Sequence, residues 1–301
     1  MIRLDTNQSA FFKRELEKIK AQTYDVKYKE LKAMQYIPVD TSTPSGTEFI
    51  TWRSYSKVGR AKIIADYAHD FPRVDIYGTE NTSKVYDLGS SYGYSIKEIR
   101  RSQITGKSLD TRRAEAARRS INELFDDLAW NGNTAYNIQG FLDYPGITSV
   151  TRTTGAGGDT WALKTPDEII ADLTAICNGV STPTKGIWEV NQILLPRTQY
   201  NRIKNLRMTD GNTHTVLTYF LANNPGVSVD VVDLLSTAGA SGVTRMMAYV
   251  KDPVNLVQEI PQMFEQLEED KKGMEYEIPC HGEFGGVTVY YPESVAYMDN
   301  I

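Results

Sequence analysis

Residues 106–140 read GKSLDTRRAEAARRSINELFDDLAWNGNTAYNIQG and contain the strongest helix signal in the chain. Ser108, Asp110 and Thr111 offer an N-cap, and the pair Asn131-Gly132 tolerates the left-handed conformation that ends helices. We therefore predict a helix over 109–131, which at ~1.5 Å per residue is roughly 30 Å long and can run across a domain. Its apolar stripe follows steps of three and four residues: Ala114, Ala117, Ile121, Leu124 and Leu128.

The opposite face of this helix is charged, and the order of its charges opposes the helix dipole. Arginines occupy the first half and carboxylates the second, whereas the dipole favours the reverse order. Two interpretations stay open: a solvated helix face, or a row of arginines that faces a polyanion such as nucleic acid. The charged residues are Arg112, Arg113, Arg118 and Arg119, followed by Glu123, Asp126 and Asp127.

Composition limits the classes of protein that the chain can belong to. The 301 residues are 41% hydrophobic and 24% charged, which is typical of a folded globular protein of one large or two ordinary domains. A net charge of −5 argues against a general nucleic-acid binder, so any basic patch must be local. Two cysteines and three histidines, widely scattered, favour neither a disulfide framework nor a metal site. Apolar runs of membrane-spanning length and a signal peptide are both missing, so we expect folding in a reducing cytosol and no membrane partner.

The first 46 residues are predicted to be an arm. Residues 9–20 favour a short helix with Phe12, Leu16 and Ile19 on one side, but many charges surround these three residues. A turn-forming cluster at 41–46 closes the segment. An arm that cannot bury its own apolar side chains lies on its own body or on a neighbouring subunit.

Residues 47–78 are predicted to form a long two-stranded β-ribbon. Phe49, Thr51, Arg53 and Tyr55 alternate with residues of the other face, a second extended piece covers 73–77, and 59–72 forms an irregular tip. Isolated two-stranded ribbons are marginal in water, so we expect this one to pack on a partner. Further strands are predicted at 85–88 and 92–99, directly before the long helix.

Residues 161–242 alternate between helix and strand signals, which is typical of an α/β layer. Pro166 and Pro196 mark two helix starts. The predicted elements are a helix over 168–177, a strand over 192–195, helices over 198–206 and 216–222, and a strand over 227–234. Four more strands are predicted afterwards, at 244–250, 275–278, 287–291 and 294–298.

The sequence favours no catalytic, metal or cofactor site. Gly106-Lys107-Ser108 resembles the end of a phosphate-binding loop, but Arg101 stands where that loop requires its first glycine. The glycine-rich stretch 155–158 does not lead from a strand into a helix, as a dinucleotide site requires. Cys280 and His281 are adjacent and point to opposite faces of an extended segment, so they cannot form a nucleophile–base pair. Cys177 is expected in the core, and His69 and His214 on the surface.

The order of these elements resembles the Hong Kong 97-type major capsid protein of tailed bacteriophages. The resemblance covers the chain from about residue 47 onward and rests on the order and spacing of motifs that are each weak. They are Gly59-x-Ala61-x-Ile63-Ile64…Asp70-x-Pro72-x-Val74-x-Ile76, Tyr92-x-Tyr94-Ser95-Ile96-x-Glu98-Ile99, Arg113 to Arg119, Asn131-Gly132, Gly140-Phe141-Leu142…Pro145-Gly146-Ile147, and Gly285-Gly286-Val287 with Pro292.

The resemblance implies an α+β fold with four parts. Residues 1–46 would be the N-terminal arm, and 47–78 the extended β-loop that lies over a neighbouring subunit. Residues 79–160 and 243–301 would be the peripheral domain with spine helix 109–131, and 161–242 the α/β axial domain. The implied contact residues of the extended loop are Trp52, Arg53, Tyr55, Lys57, Arg60, Lys62, Asp70 and Arg73.

The resemblance also implies a virion protein that is assembled in the bacterial host cytoplasm and is not an enzyme. Its expected partners are copies of itself in hexamers and pentamers, a portal, scaffold or cement proteins, and double-stranded DNA bound without sequence specificity. Two alternatives stay open: an encapsulin-type compartment with enzyme cargo, and an α/β enzyme whose site lies within 161–242. The candidate DNA-facing residues are Arg100, Arg101, Arg112, Arg113, Arg118 and Arg119, with Lys97 nearby.

Overall fold

The computed structural model describes residues 28–63, 71–105, 112–208 and 214–301. Leu31–Ile301 forms one compact unit; of the unit before it, Met1–Glu30, only 28–30 are described, and they are exposed and lie outside helices and strands. The predicted helix over 9–20, Asp70, His69 and the N-cap residues at 108–111 lie outside the described residues. Within the described part, no helix is both long and apolar enough to cross a membrane.

The described chain contains six α-helices and sixteen strands, and the last eight strands follow one another without an intervening α-helix. The α-helices are α1 (Ala33–Tyr36), α2 (Ile96–Thr105), α3 (Arg112–Asn131), α4 (Pro166–Ser181), α5 (Arg197–Asn205) and α6 (Val216–Asn223). The strands are β1 (Val39–Asp40), β2 (Phe49–Val58), β3 (Asp75–Lys84), β4 (Tyr86–Ser95), β5 (Gly132–Asn133), β6 (Ile138–Gln139), β7 (Thr148–Ser149), β8 (Gln192–Leu195), β9 (Ser228–Val231), β10 (Arg245–Tyr249), β11 (Leu256–Glu259), β12 (Gln262–Gln266), β13 (Asp270–Lys272), β14 (Glu275–Phe284), β15 (Gly286–Val289) and β16 (Val295–Asp299).

The predicted long helix is confirmed as α3, which ends at Asn131. Gly132 follows with φ 67°, and a Cβ there would come within 2.4 Å of the Ile138 carbonyl oxygen, so only glycine fits. One member of the predicted stripe is wrong: Leu124 is 38% exposed, whereas Phe125 is fully buried. The buried face follows the i, i+4, i+7 spacing from Ile121 through Phe125 to Leu128, and Leu124 lies to one side of it.

A long antiparallel sheet lies beside α3. β4 and β14 pair over ten residues each, and β12 and β13 pair with the other edge of β14. Phe284 and Cys280 of β14 face the core under α3, where the Phe284 ring contacts Phe125 with centroids 5.8 Å apart. β14 extends well beyond the predicted strand over 275–278, because its apolar and small residues continue to Phe284.

The predicted strand over 92–99 is wrong in its second half, which forms the first turn of α2. The backbone N–H of Ser95 donates to Glu98 Oε2 (3.0 Å), and the backbone N–H of Glu98 donates to Ser95 Oγ (3.3 Å). This reciprocal pair is a capping box, which satisfies two of the amide groups that a helix start leaves without partners. The Ser-x-x-Glu spacing was readable in the sequence and marks the change from strand to helix.

A five-stranded sheet has the order β7-β16-β10-β8-β9, and its central strands β10 and β8 are buried on both faces. Met247 and Tyr249 of β10 enter the core that contains α3, while Met246 and Ala248 enter a second core formed with α4, α5 and α6. Strands buried on both faces read as continuous apolar runs, which explains the sequence of β10. β10 and β16 therefore share one sheet with β8 and β9 of the expected axial domain, and the domain boundary at 243 stays a prediction.

The α/β elements predicted over 161–242 are present, with small shifts. β8 coincides with the predicted strand, and α4 begins after Thr165, whose side chain forms a capping box with Glu168. The strand predicted over 227–234 ends at Val231 and is followed by a 3-10 turn at Asp233–Ser236. Pro196 is the N-cap of α5 rather than its first helical residue, because its ψ of 152° is extended.

Residues 31–40 of the arm lie on the chain's own body. Ala33, Tyr36 and Ile37 are buried, and β1 pairs in parallel with β11. The backbone N–H of Ala33 donates to Asp126 Oδ1 of α3 (2.7 Å), which satisfies a carboxylate that is itself buried. The sequence left open whether the arm lies on its own body or on a neighbouring subunit; for this part of the arm, the structure shows that it lies on its own body.

Candidate interaction surfaces

β2 and β3 form the predicted two-stranded ribbon, with ten residue pairs from Phe49↔Lys84 to Val58↔Asp75. At ~3.3 Å per residue, each strand is roughly 33 Å long. β3 extends to Lys84 and thus beyond the predicted loop limit of residue 78. Almost every residue of both strands is exposed.

The root of the ribbon is attached to the body through one face. The ring of Trp52 meets Tyr290 edge-on with centroids 5.9 Å apart, and Ser83 Oγ donates to the Gly285 carbonyl oxygen (2.5 Å). A Cβ added at Gly285 would lie 2.9 Å from Ile50 Cδ1, so the backbone of Gly285 makes room for the ribbon. These contacts stop at Trp52 and Ser83, and the strands continue outward from there.

Beyond its root, the ribbon exposes apolar side chains on both faces. Tyr55 (66% exposed) and Ile76 (63% exposed) share one face, while Val58 and Tyr77 lie on the other. Large exposed apolar patches mark interaction sites. Among the predicted contact residues, Trp52 is half-buried. The others that the structure describes are exposed: Arg53, Tyr55, Lys57, Arg60, Lys62 and Arg73.

The candidate DNA-facing arginines differ in the contacts that they make with other residues of their own chain. Arg113 donates to Glu98 (2.8 Å), and Arg119 donates to Glu123 (2.6 Å), so both take part in ion pairs. Arg118 lies over the ring of Phe264 at 5.7 Å. Arg100 and Arg101 on α2 are exposed, and neither forms an ion pair with a described residue. Arg112 is also exposed, at the first described turn of α3.

The Arg113–Glu98 pair joins the start of α2 to α3. Hydrogen bonds from Arg113 and from the Ser95 backbone lower the pKa of the Glu98 carboxyl, because both stabilise the carboxylate. Arg113 also donates to the Gly93 carbonyl oxygen (2.5 Å) and stacks over the Tyr94 ring at 5.0 Å. Arg113 therefore has structural partners within its own chain.

The loop over 140–147 is fixed by a buried arginine. Arg245 makes a bidentate pair with Asp299 (2.6 and 2.8 Å) and also donates to the Leu142 carbonyl oxygen. Its guanidinium stacks over Tyr297 at 4.6 Å. The hydrogen bonds that Arg245 donates to the Asp299 carboxylate raise the pKa of Arg245 despite its burial, so this cation stays charged. The motif Gly140-Phe141-Leu142 thus serves packing, with Phe141 fully buried.

The side chains that sequence reasoning left without a role include one compact group. Asp87 of β4 and His281 and Glu283 of β14 bring one ligand-type atom each to within 4.8 Å of one another. Cys280 points to the opposite, buried face, as predicted. His281-x-Glu283 could have been read as one face of a strand, but nothing in the sequence joins Asp87 to it.

A cleft in the α/β region has a volume of about 870 Å³. Trp161, Arg202, Thr244 and Ile301 are among its lining residues, and the described lining contains no Asp, Glu, His or Cys. Burial raises the pKa of the Cys177 thiol to about 11, so its nucleophilic thiolate is scarce at neutral pH.

The sequence profile of a family described as "Major capsid protein" matches residues 59–301. The chain belongs to this family, the major capsid proteins of tailed phages. Its function is to form the capsid shell from copies of itself, as a structural component of the virion. A comparison with curated protein sequences gives no match.

Solved structures of capsids share the fold of this major capsid protein. The capsid of Myoviridae Phage XM1 superposes with a TM-score of 0.81 at 18% identity, covering 97% of this chain and 99% of that one. Mycobacterium phage Ogopogo gives 0.59 at 12% identity, with 97% and 100% covered. A virus-like particle from Pyrococcus furiosus gives 0.51 at 14% identity, with 88% and 90% covered. The predicted α+β, Hong Kong 97-type fold is confirmed.

Proposed function

We propose that the ribbon of β2 and β3 lies over a neighbouring subunit and that this contact builds an icosahedral shell of hexamers and pentamers. The shell would enclose the double-stranded DNA genome of a tailed phage and would be assembled in the host cytoplasm with a portal and with scaffold or cement proteins. In this proposal, 161–242 meets its copies around the capsomer axes, and the chain has no catalytic role.

One observation carries the proposal: a ribbon roughly 33 Å long has no second layer among the described residues. Two-stranded ribbons are marginal in water, and this one exposes Tyr55, Ile76, Val58 and Tyr77. A contact that repeats by rotation closes into rings, and rings of such subunits build a shell. A partner that covers the ribbon therefore supplies the apolar burial that the described residues of its own chain do not.

The test is an assembly assay on variants that remove the apolar side chains of one ribbon face at a time. Tyr55→Ser with Ile76→Ser alters one face, and Val58→Ser with Tyr77→Ser alters the other. Because these side chains are exposed, we expect each substitution to change the unfolding free energy of the subunit by less than about 0.5 kcal/mol. Electron microscopy and light scattering should show at least a tenfold loss of closed shells for the face that contacts the neighbour.

Val254→Ser is the matched control, since Val254 is an exposed aliphatic residue that lies outside both the ribbon and 161–242. Closed shells at normal yield from both double variants would contradict the proposed contact. The contents of purified shells then distinguish a virus from an enzyme-filled compartment, the encapsulin-type alternative that the sequence left open.

The same proposal gives the arginines of α2 an interior role. Arg100 and Arg101 would face packaged DNA, and their binding would be electrostatic and independent of base sequence. Arg113 and Arg119 have acidic partners in their own chain, so we expect them to contribute less to DNA contact.

The measurement is DNA retention by filled shells of Arg100→Gln with Arg101→Gln as salt is raised. We expect normal shells that lose DNA at a lower salt concentration than wild-type shells, because fewer phosphates are neutralised. Arg119→Gln is the paired control and should resemble wild type. If assembly itself fails in the double variant, the two arginines contact a neighbouring subunit instead.

A further inference from the structure

The group of Asp87, His281 and Glu283 lies on the face of the long sheet that is turned away from α3. In the register of β4 and β14, Asp87 stands directly opposite Glu283, and His281 is two residues along on the same face. His281 Nε2 lies 3.3 Å from Asp87 Oδ1 and 4.0 Å from Glu283 Oε1. Three ligand-type atoms from two strands thus converge on one point.

Two carboxylates in directly opposed positions of neighbouring strands destabilise a sheet unless a cation lies between them. Neither Asp87 nor Glu283 has a lysine or arginine within ion-pair distance among the described residues; the imidazole of His281 is their shared basic neighbour. A neutral imidazole leaves both negative charges uncompensated. The Glu283 side chain is 5% exposed, which makes a compensating cation more valuable there than in open water.

The group is accessible from solvent and has room for an ion. Asp87 is 80% exposed at its side chain. The residue paired with His281 is Gly89, which has no side chain, and a Cβ added there would meet no described atom within 4 Å, so the space beside the imidazole on that strand is open. Water can therefore complete the coordination of an ion that these three side chains hold.

We propose that Asp87, His281 and Glu283 bind a divalent first-row transition-metal ion of the zinc type. One imidazole nitrogen with two carboxylate oxygens is a donor set that zinc accepts, at about 2.0–2.2 Å from each ligand. Magnesium prefers an all-oxygen octahedral shell, so the histidine selects against it. Small movements of the exposed Asp87 side chain and the partly exposed His281 side chain close the present ligand separations onto one ion.

The site would connect the long sheet to the start of the ribbon. Both carboxylate oxygens of Glu283 accept a hydrogen bond from the backbone N–H of Gly46 (3.0 and 3.2 Å), just before β2. An ion bound to Glu283 would fix the carboxylate that holds Gly46. We therefore expect metal binding to stabilise the attachment of the ribbon root, independently of how the ribbon contacts other subunits.

The test is calorimetric titration of the full-length protein with ZnCl2 after treatment with a chelator. Wild type should bind one zinc ion per subunit, and Asp87→Asn and His281→Ala should each weaken binding at least tenfold. Asp87→Asn changes an exposed side chain and leaves the fold intact, which circular dichroism verifies. With CoCl2 as the probe, wild type should show visible absorption bands that the variants lack. MgCl2 in tenfold excess should not displace zinc.

Two matched variants control for adventitious binding. His214→Ala removes an exposed histidine elsewhere, and Asp270→Asn removes an exposed carboxylate of the same sheet; both should bind zinc as wild type does. Equal zinc affinity in wild type and His281→Ala would overturn the site. Displacement of zinc by magnesium would overturn the assignment to a transition-metal ion.

Discussion

The ribbon of β2 and β3 and the five-stranded sheet around β10 are both made of β-strands, yet they use them in opposite ways. β10 has both faces buried in two separate cores, whereas the outer part of the ribbon has neither face buried. The sheet is stabilised within one chain. The ribbon has the side chains of an interface and, within the described residues, no partner for them.

If the ribbon contacts a neighbouring subunit as proposed, the part of the subunit that carries its stability is separate from the part that assembles the shell. Burial of apolar area stabilises by about 25 cal/mol per Å², so the sheet and its two cores carry the fold. Exposed apolar side chains contribute nothing until a second subunit covers them. Substitutions in the two regions should therefore separate subunit stability from shell formation.

The largest expected effect compares one tyrosine from each region. Tyr249 of β10 is fully buried, its hydroxyl donates to the Tyr36 carbonyl oxygen (2.8 Å), and its ring meets Phe141 edge-on at 5.2 Å. Tyr249→Ala should lower the free energy of unfolding by about 4–6 kcal/mol. Tyr55→Ala in the ribbon should change it by less than about 0.5 kcal/mol. Urea unfolding of unassembled subunits measures both, and equal losses would remove the distinction between the regions.

A second prediction concerns a buried ion pair that holds an irregular loop on the same body. Asp172 of α4 accepts hydrogen bonds from Lys164 (2.5 Å), the Trp161 indole (2.9 Å) and both the backbone and hydroxyl of Thr153 (2.7 Å each). Asp172→Ala leaves the Lys164 ammonium buried without its partner and should cost about 3–5 kcal/mol. Asp167→Ala, an exposed change on the same helix, is the control and should cost far less in the same unfolding experiment.

The smallest expected effect lies where the ribbon root meets the body. Glu259 is buried, its Oε1 accepts from the Tyr290 hydroxyl (3.2 Å), and its Oε2 has no hydrogen-bond partner among the described residues. Burial first, and then the charge of Asp40, raise the pKa of the Glu259 carboxyl. A raised pKa means that the folded chain favours the protonated acid, so the contribution of Glu259 to stability is largest below the pKa of the unfolded chain and is lost as pH rises through the folded pKa.

Glu259→Gln should remove this loss and raise the unfolding free energy at neutral pH by about 1 kcal/mol, because a buried amide costs less than a buried carboxylate. Unfolding midpoints at pH 5 and pH 8 measure the effect: the variant should change less between them than wild type. Glu265→Gln, at an exposed position on β12, should keep the wild-type pH dependence. A variant with the same pH dependence as wild type would exclude Glu259 as its source.

The sequence by itself determined the features that depend on neighbouring residues. The spacing of Ala117, Ile121 and Leu128 predicts α3, and Asn131-Gly132 predicts its end, because side-chain periodicity and left-handed residues act locally. Alternation in 49–55 predicts the ribbon, and the order of motifs indicates the capsid family. The same local reasoning missed Phe125, although its helical spacing from Ile121 and Leu128 was readable. It also missed the start of α2, although the Ser-x-x-Glu pattern of its capping box was readable.

Only the tertiary structure decided which distant segments meet. It pairs β4 with β14 along their whole length and so brings Asp87 to His281, 194 positions away. It inserts β10 between β16 and β8, and it lays residues 31–40 on the body rather than on a neighbour. The apolar strands could pair with one another in many orders and registers. The local sequence pattern of each strand would be the same in every one of these arrangements, so it does not select among them. The arrangement that buries both faces of β10 at once is selected by packing over the whole chain.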